Sequence, residues 1–70
     1  MKPIPVIYTA PGCGPCAATK RWLQSNNIMY KELGPEEAIK AGYTSVPVIE
    51  YRDHVIYGFD IKKLKEVFPE

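Results

Sequence analysis

The sequence predicts an α/β fold, β-α-β-α-β-β-α, with a mixed four-stranded sheet flanked by helices. Short β-branched and aromatic runs alternate with helix-patterned runs along its 70 residues. A strand, a crossover helix and a second strand at the start favour a parallel pair with a right-handed connection. Two later strand-like runs are separated only by Arg52-Asp53, which makes them an antiparallel hairpin. No repeat, low-complexity tract or linker interrupts the pattern, so residues 1–70 read as one small domain with a compact core.

Residues 4–8 form the first predicted strand, with Pro3 and Pro5 limiting its early hydrogen bonds. Thr9-Ala10-Pro11-Gly12 is a loop. A helix is predicted from about Cys13 to Ser25, with Pro15 tolerated in a first turn whose N–H groups have no helical partner. Ala18, Trp22 and, one step round, Cys16, Thr19 and Leu23 are its candidate inward face, and Asn26-Asn27 stops it. Ile28–Leu33 is a second strand. Gly34-Pro35-Glu36-Glu37 opens a short helix with acids near its positive end, and Gly42 closes it. Val46–Tyr51 and His54–Tyr57 are the hairpin strands, and Gly58-Phe59 breaks the sheet. Asp60 caps a last helix in which Ile61, Leu64, Val67 and Phe68 recur at helical spacing, and Pro69 ends it.

Bulk properties narrow the function. A formal net charge of +1 leaves no basic stripe to argue for nucleic acid. The longest apolar stretches are five or six residues, too short to span a membrane. Met1-Lys2-Pro3-Ile4-Pro5 lacks the apolar run of a secretion signal, so a cytoplasmic protein is expected. In a reducing compartment, a cysteine pair is more often catalytic or metal-binding than structural.

Cys13 and Cys16 are the only cysteines and lie at the strand-to-helix junction as Cys13-Gly14-Pro15-Cys16, a redox arrangement. A disulfide closing so short a loop would add only about 2 kcal/mol by chain entropy, against about 3 for fifteen residues, and would join no distant segments. A tetrahedral zinc site needs four ligands, whereas two thiols and His54 supply three at most, leaving a metal shared between two chains as the metal-binding alternative. A Cys–His nucleophile pair is disfavoured because His54 belongs to the hairpin. In redox chemistry the thiolate attacks. Cys13 sits where the helix's unpaired N–H groups and positive dipole end favour a negative sulfur, and is assigned as nucleophile. Cys16, about one turn on and facing the sheet, is the resolving thiol. Gly14 and Pro15 set the pair's geometry.

Three segments together resemble the glutaredoxin branch of the thioredoxin superfamily, and within it the NrdH-type redoxins, small electron donors of ribonucleotide reductase. Cys13-Gly14-Pro15-Cys16-Ala17-Ala18-Thr19-Lys20-Arg21 resembles their C-x-x-C-x-A-T-K-R. Gly42-Tyr43-Thr44-Ser45-Val46-Pro47-Val48-Ile49 resembles their G-[FY]-x-x-[VL]-P-V-[VI], and Gly58-Phe59 their later G-F. The resemblance implies the thioredoxin/glutaredoxin fold, a cis Pro47 against the sulfurs, and a Val46 backbone open to an extended substrate. It also implies a dithiol–disulfide oxidoreductase that acts as a monomer, with no tightly bound cofactor or metal. The redox-active group is the Cys13–Cys16 disulfide. Thioredoxin reductase or glutathione would supply electrons, and ribonucleotide reductase or another disulfide protein would accept them.

The likeness has two departures. Ile56-Tyr57-Gly58-Phe59-Asp60-Ile61 stands where such donors commonly carry W-S-G-F-R-P. Ala10 stands where glutaredoxins usually place a lysine, which removes one contact to glutathione, and Gly-Pro between the cysteines is the thioredoxin choice. Asp60 resembles the acid by which glutaredoxins hold glutathione's amino end, and is equally a helix cap. Glutathione as co-substrate is thus the alternative reading, and an iron–sulfur or metal-binding module is the non-enzymatic one. Tyr8, Val46, Gly58, Phe59 and Asp60 are the candidate substrate- or partner-binding residues. Phe59 is otherwise expected in the core and Tyr8 in strand packing, with Thr9 and Pro11 shaping the loop. Trp22 fills the core or a surface groove. Lys20 and Arg21 form a solvated face or steer acidic partners.

Overall fold

The computed structural model describes residues 4–68. Strands β1 (Val6–Tyr8), β2 (Lys31–Leu33), β3 (Val48–Tyr51) and β4 (His54–Tyr57) are joined by helices α1 (Gly14–Ser25), α2 (Pro35–Lys40) and α3 (Ile61–Val67) in the expected order. The sheet order is β2-β1-β3-β4. β1 runs parallel to β2, and the β1–β3 and β3–β4 pairs are antiparallel. This mixed sheet with flanking helices is the thioredoxin-like arrangement.

Alternation along β1 and β3 sorts residues to two faces. Ile7, Ile49 and Ile56 are register partners in one row across three strands, and Leu23 of α1 and Leu64 of α3 close over them. All five are essentially inaccessible to solvent. Each such aliphatic side chain contributes about 1.5–3 kcal/mol relative to exposure. Tyr8 and Val48 lie on the opposite face, where Ala38 of α2 covers them. Because α2 has six residues, it covers only part of that face, and Val55 and Tyr57 remain exposed.

Local caps match residue chemistry. Asn26 is the C-cap of α1, and Asn27 takes the left-handed conformation with φ 58°. The Gly34 N–H donates to Glu37 Oε1 at 3.0 Å at the start of α2. Gly42, with φ 92°, follows the α2 C-cap Ala41. Asp60 Oδ1 accepts from the Lys63 N–H at 3.2 Å, the N-cap bond of α3.

Several expectations are corrected. The first three strands are shorter than their β-rich runs, because Ile4-Pro5, Ile28–Tyr30 and Val46-Pro47 lie outside the ladder. The buried face of α1 is Cys16, Thr19 and Leu23, while Ala18 and Trp22 are only half-buried. Trp22 instead packs at the core's margin with its ring 6.5 Å from that of Phe68. Ile61, the first residue of α3, is exposed despite its helical spacing. Phe59 is 39% exposed and is no core residue, because it sits in the three-residue link that carries the chain from β4 to α3. The readings on Pro3 and Pro69 lie outside the described residues.

Replacing Leu64 by Ala should cost about 2–5 kcal/mol, because it leaves a cavity under α3. Urea denaturation followed by far-ultraviolet circular dichroism measures the loss.

Candidate active site

Tyr8 ends β1, and residues 9–13 turn the chain outward before α1 begins at Gly14. Cys13 is the α1 N-cap in extended conformation, and its Sγ accepts from the Cys16 N–H at 3.1 Å. A sulfur therefore occupies the place where a serine or aspartate oxygen would satisfy the helix's first donors. Pro15, in the first turn, lacks an N–H that would need a partner. Its carbonyl accepts from the fully buried Thr19 hydroxyl at 2.8 Å.

Cys13 and Cys16 are joined as a disulfide, with Cα atoms 5.2 Å apart. The two sulfurs differ in access. Cys16 is 2% exposed on the inward face of α1, whereas Cys13 is half-exposed at the helix mouth.

The disulfide opens onto a cleft of about 620 Å³ between the 9–13 loop, the start of α1, and the 34–35 turn. Its polar wall is a triad that sequence reading did not find. Thr9, itself buried, donates its hydroxyl to Glu32 Oε2 at 2.7 Å, and Lys20 Nζ reaches the same oxygen at 3.0 Å. The Thr9 hydrogen bond, then Lys20, hold the Glu32 carboxyl below the ordinary glutamate range. The parallel β1–β2 register, Tyr8 beside Leu33, is what brings Glu32 to Thr9, and no local motif announces it.

The Val46–Pro47 peptide bond is cis. Among the described residues, neither the N–H nor the C=O of Val46 has a backbone partner, while the Pro47 carbonyl accepts from the Gly58 N–H at 2.9 Å. Ala10 and Pro35 are shared between the cleft and a smaller, mainly apolar hollow of about 200 Å³ that Ala38, Ile39 and Val46 help to line. Of the other sequence candidates, Gly58 is thus brought to Pro47, Phe59 is exposed, and Asp60 is engaged as the α3 cap. Tyr8, Val46, Pro47, Gly58, Phe59 and Asp60 do not line the larger cleft.

The glutaredoxin family model matches residues 6–34, the segment from β1 through the cysteine pair to the end of β2. Among solved structures, NrdH-redoxin from Escherichia coli, described as a glutaredoxin-like protein with a thioredoxin-like activity profile, superposes with a TM-score of 0.82. It is 26% identical, over 94% of this chain and 96% of that one. The chain has the thioredoxin fold, and its segment from β1 through β2 is similar to glutaredoxin. The thioredoxin-like protein BC3987 is also similar to this chain, with 28% identity, TM-score 0.78, and coverage of 90% and 97% of the two chains. The glutaredoxin of Archaeoglobus fulgidus, 23% identical with TM-score 0.81, shares the fold over 97% of this chain and 88% of its own. Among curated proteins, none matches the sequence. With its bonded Cys13–Cys16 pair set in this fold, the protein is a dithiol–disulfide oxidoreductase. No helix among the described residues is long and apolar enough to cross a membrane.

On the far face of the sheet, Glu50 of β3 accepts hydrogen bonds from two phenols, Tyr8 at 3.2 Å and Tyr43. The Glu50 hydrogen bond, with burial behind it, pushes the Tyr43 phenol up to about 12, and burial with the Glu50 charge raises Tyr8. A phenol that ionises later in the folded than in the unfolded protein stabilises folding fully below the unfolded value of 10.0, and that contribution fades as pH climbs through about 12. In Glu50→Gln, tyrosinate absorbance should therefore develop at lower pH than in the wild type. An unchanged spectrophotometric titration would contradict this assignment.

Proposed function

We propose that this protein is a small cytoplasmic dithiol electron donor that reduces disulfides of other proteins, ribonucleotide reductase among them. The observation that carries the reading is the unequal placement of the two sulfurs, one half-exposed at the α1 N-terminus and the other buried one turn below.

In the reduced protein, the Cys13 thiolate is favoured by the Cys16 N–H and the positive end of α1. It attacks one sulfur of the target disulfide, forms a mixed disulfide, and releases the other target sulfur as a thiolate. Cys16 gives up its proton and attacks Cys13 Sγ, which frees the second target thiol and leaves the Cys13–Cys16 bridge. Two electrons have then passed to the target, and two electrons and two protons from a reductase restore the dithiol. Burial of Cys16 keeps it from competing for the target. Gly14 and Pro15 hold the turn that places the sulfurs, and the cis Pro47 shapes the loop that carries Val46. The unpaired Val46 N–H and C=O suit pairing with an extended target segment, a short β-augmentation. Gly58 and Phe59, the latter exposed, lie at the same end of β4 and suit contact with that partner.

Thioredoxin reductase fits as electron source better than glutathione. Ala10 contributes no cation to the cleft, and Asp60 is already engaged with the Lys63 N–H. The monomer needs no tightly bound cofactor for this chemistry.

Following NADPH consumption with thioredoxin reductase in one reaction, and with glutathione and its reductase in another, separates the two sources. Rapid turnover is expected in the first alone, and turnover confined to the second would replace the donor reading with the glutaredoxin one. Cys16→Ser should accumulate a mixed disulfide on Cys13, visible by intact-protein mass spectrometry. Accumulation in Cys13→Ser instead would reverse the two roles.

A further inference from the structure

One carboxylate on the face of the sheet away from α1 ties the loop that leads to the disulfide to the loop that leads to the cis Pro47. Tyr8 is the last residue of β1, directly before the loop that leads to Cys13. Tyr43 follows α2 and opens the segment leading through Thr44 and Ser45 to Val46 and Pro47. Both phenols donate to Glu50, Tyr8 to Oε1 and Tyr43 to Oε2, so each carboxylate oxygen takes one loop. The Tyr8 and Tyr43 rings pack with centroids 5.3 Å apart, and Tyr57 meets Tyr43 edge-on at 6.1 Å. Glu50 stands only three residues beyond Pro47, on a strand paired to β1 on one side and β4 on the other.

The 44–46 segment needs such an anchor. Between Tyr43, whose N–H reaches the Ala38 carbonyl, and Pro47, whose carbonyl reaches Gly58, it has no backbone hydrogen bond among the described residues. Side-chain bonds at its start and strand pairing at its end are what hold it. We propose that Glu50 is a positioning residue, a brace that fixes the segment carrying the unpaired Val46 backbone for docking of an extended protein substrate. The inference rests on the proposed reduction of protein disulfides and adds the residue that organises substrate docking. Glu50 itself lines neither cavity at the site and touches no sulfur.

Glu50→Gln tests the brace, because the amide keeps the side chain's shape but leaves one acceptor oxygen for two phenols. With insulin as the protein disulfide and dithiothreitol recycling the dithiol, the variant should raise KM about fivefold, the scale of one weakened hydrogen bond, and leave kcat within about twofold. Reduction of 5,5′-dithiobis(2-nitrobenzoic acid), which has no peptide backbone to pair, should keep its wild-type rate. Amide hydrogen exchange in the intact protein should quicken at Thr44, Ser45 and Val46, while Leu23 and Ile49 keep their protection. Glu50→Leu should show the same pattern more strongly, and serves if the first variant folds poorly. An unchanged KM with unchanged exchange overturns the brace, as does an equal loss toward both substrates. If wild-type protein itself fails to reduce insulin, the proposed function fails, and the exchange comparison still decides whether Glu50 fixes the loop.

Discussion

The bond from the Cys16 amide to Cys13 Sγ is the point on which this small structure turns. It sets where α1 begins, because a sulfur takes the N-cap place and Pro15 removes a donor from the first turn. With that start fixed, the helix periodicity sends Cys16, Thr19 and Leu23 into the protein and leaves Cys13 at its mouth. The inequality of the sulfurs thus follows from capping and helical pitch. Leu23 then carries the same face into the row formed by Ile7, Ile49 and Ile56, so the redox turn and the hydrophobic core share one rigid element.

The two faces of the sheet do different work. Under α1 and α3 the contacts are aliphatic and dry. Under the single short helix α2 there is too little cover for an aliphatic layer. Tyr8 and Tyr43 pack there beside Ala38 and Val48, with their hydroxyls bonded to Glu50. A carboxylate inside an aromatic cluster would be costly if unpaired, and its two phenol partners offset that cost.

The element order, the cysteine turn, the hairpin and the Asp60 cap were legible because each is a local pattern of a few consecutive residues. Strand ends were less so. A β-rich run such as Ile28–Leu33 records preference for extended backbone, while the ladder ends where a neighbouring strand ends, and β1 offers only three residues to pair. Phe59 was misplaced for a related reason, since hydrophobicity at a bend between β4 and α3 does not reveal which way the bend faces. Glu32 and Glu50 carry no motif. Their partners Thr9, Lys20, Tyr8 and Tyr43 lie 7 to 42 positions away, and only strand pairing and the packing of α1 and of the segment after α2 on the sheet join them.

Thr19 has a consequence for how such a protein can vary. Its hydroxyl grips the carbonyl of Pro15, a main-chain group that every residue type possesses. Side chains between the cysteines are therefore free to diverge without releasing that grip, while the buried threonine four places on is not. Redox character can drift by exchange of the intervening dipeptide, on a backbone held from inside.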